Sequence, residues 1–329
     1  MLVSNRLGRL PAAVQLRDDL DAERLRADLV ELGEHQTWRR QQSFQDGGVG
    51  ESSDIDWRCL SLRAPAGDAE RTDPGGPGQA AFADTHWMAK APYMAQVLAG
   101  LGTELRSVRL MGLAPGVLVP EHQDSPIGLP YGYVRLHVPV VTNPGAILVM
   151  DGVEQCWQPG TLWYADFDRP HAVRNTGAAN RVHLVIDCAI SDELLGLFPE
   201  SFRTLLPMSE IALQRPVVPL SAAERDDFRC RFSVPRTFVD WGAALEDDTR
   251  TDLPAEVTTA DGELVLRVED GPSVALLHVG AGEFRLQGWS EERGLRLGLF
   301  DAAPRVVFHT RRGRRRQEVA RPAVATAAR

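Results

Sequence analysis

The chain has 329 residues, 43% hydrophobic and 25% charged, with a formal net charge of −9; these are globular proportions, and the negative charge argues against sequence-independent nucleic-acid binding. No run approaches the roughly 18 uncharged apolar residues of a membrane span, and the N-terminus lacks the apolar stretch of a secretory signal. Four cysteines (Cys59, Cys156, Cys188, Cys230) without a CxxC pair fit neither a disulfide framework nor a thiolate zinc site, which points to the reducing cytoplasm.

In chain order, Val14 and Leu16 open a first segment. Asp19 or Asp21 then caps a helix with Leu25, Leu29 and Leu32 at i, i+4 and i+7, stopped by Gly33. Trp57 to Arg63 (WRCLSLR) reads as a strand, and Ala64 to Thr85, rich in Gly, Pro and Asp, as a long loop, mobile or a lid. Pro92 to Leu101 reads as a helix. From Val108 onward short β-rich runs follow one another (SVRLMGL, YVRLHVPVV, AILVM, GVEQCW, TLWYADF, HAVRN, RVHLVIDCA), divided by turn signals such as Asn143-Pro144-Gly145 and Asp151-Gly152. That succession predicts a mainly β protein, a sandwich or barrel. After Asp187 the pattern turns helical, with Ser191 as one cap and Ser221 with Glu224 as a capping box. Strands return from about Glu256, and the tail RRGRRRQEVARPAVATAAR reads as basic and disordered. The expected division is a β domain with N-terminal helices over 1–190, a helical extension over 191–255, a small β-rich unit over 256–312 and a tail over 313–329.

His122 and Asp124 (EHQDSP) stand two apart at a predicted strand end, so a period of two places both on one face. His171 follows 49 residues later in RPHAVRN. An HxD pair with a distant histidine is the sequence form of the two-histidine, one-carboxylate facial triad, which binds Fe(II) and leaves the opposite positions open. Arg181 lies ten residues after His171, on RVHLVID, where Val182, Leu184 and Ile186 form one face and Arg181, His183 and Asp187 the other. In YGYVRLHVPV the same count opposes Val134, Leu136 and Val138 to Tyr133, Arg135 and His137. Two strands with cationic rows suit a dicarboxylate bound beside a metal through a planar guanidinium. His35, His86, His278 and His309 have no partner at ligand spacing and read as surface or satisfied histidines. No GxSxG, Walker loop or dinucleotide-binding glycine pattern is present.

The stretches RLMGLAPGVLVPEHQD, YVRLHVPVVTNPG and GTLWYADFDRPHAVRNTGAANRVHLVID resemble the aspartyl/asparaginyl β-hydroxylase family, which includes proline 3-hydroxylase-like enzymes. The resemblance implies a double-stranded β-helix (jelly-roll) core and an Fe(II)- and 2-oxoglutarate-dependent dioxygenase using O2. It implies that His122, Asp124 and His171 bind the iron, that Arg181 receives the distal carboxylate of 2-oxoglutarate, and that Arg135 and His137 lie near that cosubstrate. Animal peptidyl hydroxylases of the family carry a small residue where Asp124 stands, and halogenating relatives in the wider superfamily also lose that carboxylate. Asp124 therefore favours hydroxylation and the small-molecule branch. The expected substrate is an aliphatic C–H of an amino-acid unit, Asp/Asn-like or Pro-like, free or within a peptide, in natural-product biosynthesis. A catalytically silent jelly-roll binder or sensor is the alternative. The β-rich unit after Glu256 matches nothing in the family, and substrate recognition, homodimerisation and mere cover for the core are the roles open to it.

Overall fold

The computed structural model describes residues 10–33, 38–45, 48–124 and 126–326; His35 lies outside them. The chain divides into two compact units, Met1–Gly75 with Phe82–Ile211, and Gly76–Ala81 with Ala212–Arg329.

The first unit holds strands β1 (Ala13–Arg17), β2 (Arg39–Arg40), β3 (Gln42–Gln45), β4 (Gly48–Ser52), β5 (Trp57–Pro65), β6 (Phe82–Asp84), β7 (Leu105–Leu113), β8 (Leu118–His122), β9 (Tyr133–Val141), β10 (Ala146–Met150), β11 (Val153–Gln155), β12 (Leu162–Ala165), β13 (His171–Asn175) and β14 (Arg181–Ala189). A large antiparallel sheet runs β1-β12-β9-β14-β7-β5-β2, with β6 on β5, and a smaller one runs β11-β10-β13-β8. Two antiparallel sheets joined in this crossing order form the jelly-roll; β3 and β4 make a separate ribbon.

Every residue of β14 is buried. The period-two split of β9 and β14 therefore separates two buried faces, where an exposed antiparallel strand would send one row to water. Helix α1 (Ala22–Glu31) lies against β9. Asp21 caps it by accepting from Glu23 N and Arg24 N, and Gly33, at φ +84°, ends it. Its buried Asp28 accepts from the Met94 N–H at 2.7 Å, which ties α1 to α2 (Pro92–Ala99). Two short helices follow the jelly-roll, α3 (Asp192–Gly196), capped by Ser191, and α4 (Glu200–Arg203).

The stretch expected as a lid or mobile loop, 64–85, is bonded along its length. Arg71 pairs with Asp73, the Thr72 hydroxyl donates to Arg40 O at 2.7 Å, and Thr85 Oγ1 donates to Ser61 O at 2.7 Å. Its glycine and proline content serves tight packing: a Cβ on Gly75, at φ +70°, would sit 2.7 Å from the Phe82 ring.

The second unit is a closed barrel of eight strands, β15 (Cys230–Val234), β16 (Leu253–Ala260), β17 (Glu263–Val268), β18 (Ser273–His278), β19 (Glu283–Leu286), β20 (Arg293–Gly298), β21 (Arg305–Arg312) and β22 (Arg315–Ala325), in sequence order. Closure removes the sheet edges, and Phe232, Leu266, Phe284, Leu295 and Phe308 fill the interior. This corrects two expectations. The β unit starts at Cys230 rather than Glu256, inside the stretch read as helical, where α5 (Ala222–Asp227, with the Ser221/Glu224 capping box), α6 (Arg236–Val239) and one 3-10 turn (Thr249–Thr251) are the helical elements of this unit. The tail is strand through Ala325: its arginine count conceals a period of two in which Val319, Arg321 and Ala323 point inward, and Arg321 is held by Asp247 and Asp252. Gly76–Ala81 joins this unit through Gly78 N→Gln287 O and Ala275 N→Gly78 O, both 3.1 Å. No described helix is long and apolar enough to cross a membrane.

Candidate metal centre

His122 ends β8 and His171 begins β13, and the two are direct register partners across that antiparallel pair. Their rings stand 4.2 Å apart between centroids. Asp124 lies past the end of β8, where its backbone N–H donates to Phe167 O at 2.9 Å and fixes the turn beside His171. Strand period alone therefore does not bring Asp124 round; the loop bond does. One ligating atom from each of His122, Asp124 and His171 lies within 4.8 Å of the others.

The Nδ1 atoms of both histidines sit 2.9 Å from carbonyl oxygens, Pro120 O for His122 and Arg169 O for His171. A carbonyl only accepts, so each Nδ1 carries the proton and each Nε2 keeps its lone pair for a ligand, the usual arrangement around metal-binding imidazoles. Burial lowers the His171 pKa from its ordinary value. Two imidazoles and a carboxylate suit a divalent iron, and the three groups line one side of a cavity of about 590 Å³.

Arg181, His137 and Arg135 line that cavity as well. Arg181 is 5% exposed, and no carboxylate pairs with it among the described residues. Its Nη2 donates to His183 Nδ1 at 2.8 Å, and Nη1 is buried with no partner. Burial alone lowers its pKa from its ordinary value to about 9. Beside it, His137 Nε2 is buried and unpartnered, and burial, then the charges of Arg181 and Arg135, hold that imidazole well below its ordinary pKa. An unpaired buried cation is costly unless a ligand supplies the counter-charge. Arg135 differs: Asp187 and Asp124 both accept from it. Trp157, Phe167, Met111, Val119 and Val173 supply apolar wall, while Gln41, Gln42, Gln45, Glu51, Asp54 and Glu121 supply polar lining.

The six residues singled out from sequence thus share one cavity. Sequence reasoning missed its β3–β4 wall, because QSFQDGGVGES is short and polar and carries no core period. It also placed Asp187 on the functional face without its partner, although Asp187 faces Arg135 in register.

A sequence model described as aspartyl/asparaginyl beta-hydroxylase matches residues 19–190, just over half of the chain. A search of curated proteins found no match. Among solved structures, the chain is similar to a 2OG-Fe(II) oxygenase family oxidoreductase from Burkholderia pseudomallei (16% identity, 54% of this chain and 84% of that one, TM-score 0.35). It is also similar to a prolyl-4-hydroxylase from Pseudomonas putida (16%, 57% and 96%, TM-score 0.32). A third is a Trichoplax adhaerens prolyl hydroxylase in complex with a hypoxia inducible factor oxygen degradation domain peptide fragment (14%, 61% and 89%, TM-score 0.37). Likeness at this level says nothing of substrate.

Proposed function

The chain belongs to the aspartyl/asparaginyl β-hydroxylase family, and from that premise we propose that His122, Asp124 and His171 hold its iron and that Arg181 binds the distal carboxylate of 2-oxoglutarate. Membership makes it an Fe(II)- and 2-oxoglutarate-dependent hydroxylase that uses O2. The observation that carries the site assignment is the coincidence, in one cavity, of the three-ligand cluster with a buried arginine that no carboxylate neutralises among the described residues.

When bound, the iron with 2-oxoglutarate and O2 supplies the oxidant that turns an aliphatic C–H into C–OH while 2-oxoglutarate becomes succinate and CO2. The chain's own residues fix where this happens. His122 and His171 present Nε2 because Nδ1 is spent on a backbone carbonyl. Arg181 would hold the dicarboxylate through Nη1, since Nη2 donates to His183, and His137 Nε2 and Arg135 border the same space. Trp157, Phe167 and Met111, each about 5% exposed or less, keep water from the reacting carbon.

We assign as substrate an amino-acid unit, Asp/Asn-like or Pro-like, free or in a peptide, within specialised metabolism. Such a unit has an apolar carbon chain for the aromatic wall and polar ends for the amides and carboxylates of the β3–β4 side. A cytoplasmic location belongs to the same proposal, since all four cysteines are free thiols. The test is mass spectrometry of candidate amino acids and peptides incubated with protein, Fe(II) and 2-oxoglutarate: a mass gain of one oxygen that is lost in His171→Ala supports the reading, and succinate release that no triad substitution alters refutes the site.

A further inference from the structure

Arg135 is engaged on two sides. Its Nε and Nη2 donate to Asp187 at 2.7 and 3.0 Å, and Nη1 donates to Asp124 Oδ2. Asp187 stands directly opposite Arg135 in the β9–β14 register and is 1% exposed. It also accepts from Ser107 Oγ at 2.9 Å and pairs with Arg109 at 3.4 Å, while Arg109 Nη1 donates to Thr72 O at 3.0 Å. Two carboxylates and two guanidinium groups thus cancel in charge, and the buried end of the set is fixed by backbone and by Ser107. Asp187 is not among the residues that line the cavity.

Asp124 meets this network with one oxygen only. Oδ2 accepts from Arg135, while Oδ1 faces His122 Nε2 at 3.7 Å. We propose that Arg135 is a positioning residue for the metal-binding carboxylate, held in turn by Asp187, and that it makes Asp124 meet the ion through Oδ1 alone. The inference rests on the reading of His122, Asp124 and His171 as ligands, and it moves Arg135 from cosubstrate binding to carboxylate orientation. A carboxylate free to turn binds a cation through one oxygen or two, and the second oxygen takes a position that a facial triad must leave open. Only a planar fork of donors reaches two carboxylates at fixed angles; a lysine ammonium at the same place is a point charge that serves one. Partners that orient a metal ligand typically contribute 10–100-fold to metal affinity.

The test is titration of the full-length apoprotein with Co(II), without 2-oxoglutarate, read by visible absorption for both affinity and ligand geometry. Arg135→Met and Asp187→Asn are expected to weaken Co(II) binding about 10–100-fold and to change the band shape. On an Asp124→Ala background neither should have any further effect, which a merely structural role would not produce. Should Arg135→Met lose the folded circular dichroism spectrum, Asp187→Asn, nearly isosteric and outside the cavity, carries the same test. Unchanged Co(II) affinity with only a raised 2-oxoglutarate requirement would overturn the proposal and return Arg135 to the cosubstrate, as would losses that simply add on the Asp124→Ala background. Failure of the wild-type chain to bind Co(II), or binding indifferent to His122→Ala, overturns the ligand reading itself and is recognised separately from either.

Discussion

Replacing Arg181 by methionine should stabilise the ligand-free protein while weakening cosubstrate binding. Burial without a carboxylate lowers the Arg181 pKa from its ordinary value to about 9, which corresponds to at most about 5 kcal/mol against the charged form in the folded chain. Below about pH 9 the guanidinium is protonated in folded and unfolded chains alike, so the whole cost is present at neutral pH. It is relieved only as the pH climbs above about 9. Methionine fills a similar volume without charge, although the His183 ring then loses its donor at 2.8 Å, which returns about 1–2 kcal/mol. The net expectation is a gain of at most about 3–4 kcal/mol, each kcal/mol being worth about 2–4 °C in the melting temperature of a unit this size. In the loaded enzyme the sign reverses, because truncating one partner of a buried guanidinium–carboxylate pair costs about 2–5 kcal/mol, so the 2-oxoglutarate requirement should rise at least tenfold. Thermal denaturation of both proteins with and without 2-oxoglutarate reads both effects: the cosubstrate should raise the wild-type midpoint and leave that of Arg181→Met nearly unmoved. An apo variant less stable than wild type, with an unchanged 2-oxoglutarate requirement, would refute the argument.

Further expectations concern the ligands and the barrel. Alanine at His122 or His171 should remove metal binding, measured by equilibrium dialysis, with little loss of fold. In the second unit, burial and then the Arg316 charge depress the His309 pKa to about 4. Its unfolded value is near 6.5, so its neutral form contributes stability present above pH 6.5 and lost as the pH falls towards 4, about 3 kcal/mol in all; denaturant titrations at pH 7 and pH 4 should show this, and His309→Gln should flatten the difference. Arg293 donates to the carbonyls of Thr237, Phe238, Asp240 and Ala243, so Arg293→Met should cost about 3 kcal/mol or more in unfolding that spares the Co(II) site. Gly288→Ala places a Cβ at φ +78°, 2.2 Å from Gly76 O. It should therefore expose the Gly76–Ala81 amides to hydrogen exchange.

Some of this was legible in the sequence because the chemistry sits on strands. His122 and His171 meet as register partners, and the alternation that set Arg135 and His137 on one row of β9 holds in the structure, both lining the cavity. What was illegible lies where period fails. Asp124 depends on a loop bond to Phe167, and no count along the chain reveals it. In β22, arginine at both inward and outward positions erased the contrast on which the alternation rule relies, because an inward arginine paired with Asp247 and Asp252 looks the same in sequence as a solvated one. The glycines and prolines of 64–85 suggested freedom, whereas at Gly75 the small residue answers to the Phe82 ring.

The most direct measurement of the central claim is an anaerobic titration of the apoprotein with Fe(II) and then 2-oxoglutarate, followed by visible absorption. A charge-transfer band that appears only after both are added, that is absent in His171→Ala and that needs at least tenfold more 2-oxoglutarate in Arg181→Met, is the predicted result. A wild-type chain that gives no such band, or a band untouched by His171→Ala, would contradict the account.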